Sequence, residues 1–205
     1  RAEGLRAALR KRQGPLRGFT LVEVLIALVI GMVVLGAMYS VFTIQNKQFS
    51  DQELIAEMRQ AARTAADAMS REITMAGYDP GWSLATPAPA NAGITAATAT
   101  ALTFTTDLNE DGDTTDHNEN VTYAFDGTNH RITRELGSGG GAQPFAENIH
   151  DLTFTYLDSG GNPTTTLSAI RRIQIGITAR TASPDPNYPA DGGYRTYTLT
   201  TDVLP

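Results

Sequence analysis

The sequence predicts an α+β fold in which one long N-terminal helix packs on an antiparallel β-sheet domain. Three observations carry that expectation. From Phe19 to Ile44 the chain is apolar with a single charge, Glu23. From there a stripe of Leu54, Met58, Ala61, Ala65, Met69 and Ile73 keeps helical spacing through otherwise polar sequence. Beyond Ala101, short segments alternate apolar and polar residues, the period of half-buried strands.

The first element is a leader, residues 1–18, with Arg6, Arg10, Lys11, Arg12 and Arg17 crowded before Gly18. Such a segment is expected to be removed and stays out of the fold argument. The apolar run over 19–44 makes a helix of about 39 Å, enough to cross a hydrocarbon core of about 30 Å with some tilt. A secretory signal peptide would have an apolar core of only about 7–15 residues, with its small cleavage-site residue after the run. Here Gly18 lies before it, so a spanning helix is the better reading.

Glu23 is the anomaly in that helix. A carboxylate at membrane depth costs about 2.5–3.5 kcal/mol, so it needs a partner, a function or a route to water. Two readings stand: the side chain snorkels to the nearby interface, or it pairs with a cation. Cleavage after Gly18 would create an α-amine at Phe19, and that amine could meet Glu23 of a neighbouring subunit. Gly31 and Gly36 lie five apart, which is not the spacing of four in the G-x-x-x-G dimer face. They read either as points of local flexibility or as sites of close helix approach.

Residues 45–76 form the amphipathic continuation, stopped by Gly77 and by Asp79-Pro80-Gly81. Asp67 and Arg71 have the spacing of a helical ion pair. Trp82–Ala97, rich in Ala, Thr, Pro and Asn, reads as a linker at the start of a β-rich head over 77–205. Strands are expected at Ala101–Thr105, Val121–Phe125, Arg131–Glu135, Leu152–Leu157, Ile170–Ala179 and Thr196–Val203. Gly137–Gly141 has no Gly-Lys-Ser/Thr and reads as a flexible turn, not a phosphate loop.

The net charge of −6 hides an asymmetry: residues 1–17 hold six basic residues and one acid, leaving a remainder that is net −11. A basic segment before a spanning helix predicts a cytoplasmic N-terminus and an outward C-terminal domain. The acidic remainder argues against nucleic-acid binding, which wants a basic stripe. The chain has no cysteine, hence neither disulfides nor a thiol nucleophile. His117, His130 and His150 lack the spacing of a zinc site, no G-x-S-x-G occurs, and enzymatic activity is not expected.

One stretch of the head has ligand chemistry. Asp107 to Glu119 (DLNEDGDTTDHNE) places oxygen side chains at alternate positions before a glycine, as a calcium loop does. The candidate ligands are Asp107, Asn109, Asp111 and Asp113. The second half departs from an EF-hand, because its twelfth position is Asn118 and the acid, Glu119, falls one residue later. A calcium site and a solvated acidic hairpin loop both remain open.

Gly18-Phe19-Thr20-Leu21-Val22-Glu23 after a short basic leader resembles the class III signal of type IV prepilins and pseudopilins. The resemblance implies cleavage between Gly18 and Phe19 by a prepilin peptidase, N-methylation of Phe19, and an assembly role for Glu23 as fifth mature residue. It also implies a pilin-like fold anchored in the bacterial inner membrane with a periplasmic head, later displayed on a pilus at the cell surface. The implied partners are other pilin subunits and minor pilins, the inner-membrane assembly platform and the lipid bilayer, with no nucleic acid. The lack of cysteine, the acidic loop and the Met75–Tyr78 helix end are similar to PilW-like minor pilins, thought to prime assembly. Two alternatives are a J-type minor pseudopilin of type II secretion and a membrane-anchored calcium- or ligand-binding domain that never polymerises.

Overall fold

A computed structural model describes residues 18–79, 93–111, 113–137 and 139–205. The basic leader up to residue 17 and the linker stretch over 80–92 lie outside the described residues. The chain is α+β and divides into two compact units, Arg1–Phe49 and Ser50–Pro205.

Helix α1, Leu21–Thr74, is 54 residues long, about 81 Å at the usual helical rise. Its start is fixed locally. Thr20 and Glu23 form a reciprocal cap: the Glu23 N–H donates to Thr20 Oγ1 at 3.2 Å, and Thr20 N–H donates to Glu23 Oε2 at 2.8 Å. Its end tightens, with Ala76 N–H reaching Ile73 O at 3.0 Å, and the chain leaves through Gly77 at φ +79°. The expected bounds of 19–76 therefore contract by two residues at each end. The helix runs unbroken through Gly31 and Gly36.

In the second unit, α1 contributes a buried row of Met58, Ala62, Ala65, Ala66, Met69 and Ile73. The row follows the expected stripe, except that Ala62 and Ala66 are buried while Leu54 and Ala61 are only half-buried. No ion pair joins Asp67 to Arg71 among the described residues, and both side chains are exposed. At that exposure a fixed pair gains little over two solvated charges.

Among the described residues this unit adds eight antiparallel strands: β1 Gly93–Ala97, β2 Ala101–Thr105, β3 Asn120–Asp126, β4 Arg131–Leu136, β5 Gln143–Glu147, β6 Ile149–Leu157, β7 Arg172–Arg180 and β8 Thr196–Val203. They form two sheets, one in order β1-β2-β3-β4-β5 and one in order β6-β7-β8. All six expected strands are present, with bounds moved by up to three residues. Two were not expected. β1 occupies part of the presumed linker, and β5 follows the glycine-rich turn.

Alternation sets the faces. In β7, Ile173, Ile175, Ile177 and Ala179 point inward and are fully buried. Leu102 and Phe104 of β2, Val121 and Tyr123 of β3 and Ile132 of β4 join the same core as the α1 row. Outward positions carry hydroxyl pairs across the ladder, Thr103 with Thr122 and Thr178 with Thr198, each at 2.9 Å.

Two tyrosines tie the layers. Tyr123 Oη donates to Glu72 Oε2 of α1 at 2.7 Å, and Arg134 Nε donates to the same oxygen at 3.0 Å. Burial pushes the Tyr123 hydroxyl far above its ordinary range, and Glu72 adds to the effect. Tyr156 Oη of β6 donates to Thr98 O at 2.7 Å, joining the second sheet to the β1–β2 turn.

Candidate functional site

The first candidate site is the start of α1. Gly18 and Phe19 are exposed, and Phe19 retains 87% of its accessible surface. Thr20 is the decisive local residue because its backbone and side chain hold the acid in place. Glu23 Oε2 accepts from Thr20 N at 2.8 Å and from Thr20 Oγ1 at 3.0 Å. Oε1 has no hydrogen bond among the described residues, so half of the carboxylate remains open to a second donor. The sequence reading did not single out Thr20, although T-x-x-E before an apolar run is the signature of this cap.

From Leu21 to Phe49 the large apolar side chains lie exposed on every face of the helix. A helix apolar all round needs a membrane or other helices around it. The stretch is long and apolar enough to cross a bilayer. A Cβ added at Gly31 or Gly36 would meet nothing, so these notches lie open on the helix surface.

Residues 17–39 match the model of the prokaryotic N-terminal methylation motif. The motif supports a type IV pilin or pseudopilin-like protein. The match brackets Gly18, Phe19, Thr20 and Glu23 and ends far short of the β domain. With the apolar helix it supports membrane anchoring, and it points to a structural subunit in place of an enzyme. The motif implies processing by a prepilin peptidase and assembly with pilins. No curated protein and no solved structure matches the chain.

The second candidate site is the acidic loop between β2 and β3. Its base is closed by Thr106 N–H on Glu119 O, and Asp107 N–H reaches Tyr78 O just beyond α1, both at 2.8 Å. Asp107 is fully buried and accepts Glu110 N–H on Oδ1 at 2.7 Å. Asn109 Nδ2 donates to Asp111 Oδ2 at 3.0 Å and to Asp116 Oδ2 at 2.7 Å, drawing those two carboxylates together. Asp113 turns to Thr115, whose N–H and hydroxyl both reach Oδ1 at 2.8 Å. These bonds hold the Asp113 carboxyl below its ordinary range.

Of the four acid-loop residues picked out by alternation, the structure brings Asp111 together with two that the pattern left out. One oxygen from each of Asp111, Asp116 and Glu119 lies within 4.8 Å of the other two. Glu119 falls out of EF-hand register, but Asn118 at φ +74° turns the chain just before it. A turn signal at Asn118 was available in the sequence; its consequence for Glu119 was not. None of the three histidines joins this group.

Proposed function

We propose that this chain is a minor pilin-like structural subunit of a type IV pilus, PilW-like in kind, that helps to prime filament assembly through its N-terminal helix. The observation that carries the reading is a coincidence at one helix start. A lone acid, an aromatic residue after glycine and an uncovered apolar surface all fall within the segment that matches the methylation motif.

The chemistry follows from charge in a low dielectric. The basic leader holds the N-terminus on the cytoplasmic side while the head lies outside the membrane. Hydrolysis after Gly18 frees the Phe19 α-amine, a cation placed at the helix start. In the bilayer, Glu23 waits with Oε2 on its own Thr20. In a bundle of apolar helices an unpaired carboxylate is expensive, and a neighbour's Phe19 amine on the open Oε1 neutralises both groups. That pairing sets the axial register, because a subunit displaced by one turn leaves a buried charge unmatched.

Processing tests the reading. Co-expressed with a prepilin peptidase, the parent chain should lose a leader of about 2 kDa and begin at N-methylated Phe19. Gly18→Glu should remain a precursor, seen by intact mass. Efficient maturation of Gly18→Glu, or a parent chain that keeps its leader, would instead favour a membrane-anchored domain that never polymerises. The sister subunits that co-purify with the mature chain separate a pilus from a type II secretion pseudopilus, whose J-type subunit is the alternative.

A further inference from the structure

We infer that Asp111, Asp116 and Glu119 bind a calcium ion, which pins the β2–β3 loop of the head. The inference is independent of the assembly role, since it rests on the second unit alone.

Convergence of acids on an exposed loop is not sufficient by itself, and Glu119 supplies the separate observation. Its side chain is 1% exposed. Oε1 is fixed by two backbone donors, Leu108 N–H at 2.9 Å and Asn109 N–H at 3.2 Å. Oε2 is buried and has no hydrogen-bond partner. A carboxylate oxygen taken from water and left unpaired carries its full desolvation cost. None of Asp111, Asp116 and Glu119 has an ion-pair partner among the described residues, so the repulsion of three charges is offset only by neutral donors, the Asn109 amide and backbone N–H groups. A divalent cation held through Glu119 Oε2 would remove both costs at once.

The donor set selects the ion. All three donors are carboxylate oxygens, with no imidazole or thiolate in the group, which suits a hard cation over zinc or copper. Oxygens sharing one calcium at about 2.4 Å stand at most about 4.8 Å apart, and these three fall within that span. Two ligands are exposed and one is buried, so the site opens to solvent on one side. Water and loop oxygens can then complete a shell of about six to eight oxygens, which calcium accepts more readily than magnesium does. Glu119 is the anchor: it immediately precedes β3 and is clamped to the loop base through Thr106. Binding therefore couples the loop to the sheet and, through Asp107 and Tyr78, to the segment after α1.

The test uses the full chain in detergent micelles, stripped with chelator and then melted in CaCl2 or MgCl2. Ions of the extracellular class bind at about 0.1–1 mM. Calcium at about 10 mM should raise the melting temperature of the head by several degrees, and equal magnesium by clearly less. Asp111→Asn combined with Asp116→Asn changes two exposed residues. This variant should fold, melt in chelator at or above the parent's temperature, and lose the calcium shift. Glu119→Gln keeps an acceptor for Leu108 and Asn109 and should weaken calcium at least about tenfold, the loss expected of one charged ligand. If Glu119→Gln fails to fold, the double variant decides. A parent with no calcium shift, an equal magnesium shift, or a double variant that keeps the parent's shift overturns the site.

Discussion

Two stretches of one helix meet opposite surroundings. Between Leu21 and Phe49 nearly every α1 side chain is exposed, although the stretch is the most apolar in the chain. Between Met58 and Ile73 polar residues make up half of the helix, yet six side chains are buried against the sheets. Apolarity and burial within the chain therefore run in opposite directions along α1. The second stretch is held by its own domain. Among the described residues the first has no cover from its own unit, and an apolar surface of that kind calls for a bilayer or other helices around it.

Substitutions that are alike in chemistry should expose this difference. Ile73 is fully buried and Ile30 is 58% exposed. Ile73→Ala should cost the head about 2–5 kcal/mol by leaving a cavity. Ile30→Ala should leave head melting within about 0.5 kcal/mol of the parent. Thermal melting of the detergent-solubilised chain measures both, and equal losses would erase the distinction between the stretches.

A smaller effect is expected where the second stretch touches the sheet through polar groups. Glu72→Ala removes the acceptor shared by Tyr123 and Arg134. The head should lose about 1–2 kcal/mol, mostly from the stranded tyrosine hydroxyl. The Arg134 contact adds little because both of its partners are partly exposed. Glu72→Gln, which retains an acceptor, should recover part of the loss in the same melting experiment.

The same contrast explains what could be read from sequence. The apolar run and the Met-Ala stripe are periodic signals of burial, whatever does the burying, so both stretches of α1 were legible. Interior strands were legible for the same reason. The two missed strands, β1 and β5, are the edges of the five-stranded sheet. An edge strand bonds on one side and buries little, so Gly93–Ala97 carries small residues and β5 tolerates Pro144. The start of β6 was hidden because the register shifts between Ile149 and Asp151, which breaks the alternation at His150. The split into two sheets was not legible, because alternation reveals faces but not partners.

The candidate sites divide similarly. Gly18, Phe19 and Glu23 announce themselves by contiguity, and Thr20 by the spacing of a cap. Glu119 does not, since its approach to Asp111 and Asp116 depends on a left-handed turn at Asn118 and on backbone donors eleven and ten residues away.

The central claim is that the charge of Glu23, and not merely its shape, places this subunit in a filament. Glu23→Gln tests it most directly, because glutamine serves in the same cap as glutamate and so preserves the hold of Thr20 on the helix start. The measurement is co-purification of the variant with the other pilin subunits in a filament-initiation assay. Membrane insertion and cleavage after Gly18 should persist, while incorporation should fall by about tenfold or more, as an amine buried without its partner requires. Incorporation of Glu23→Gln at the parent's level would contradict the account.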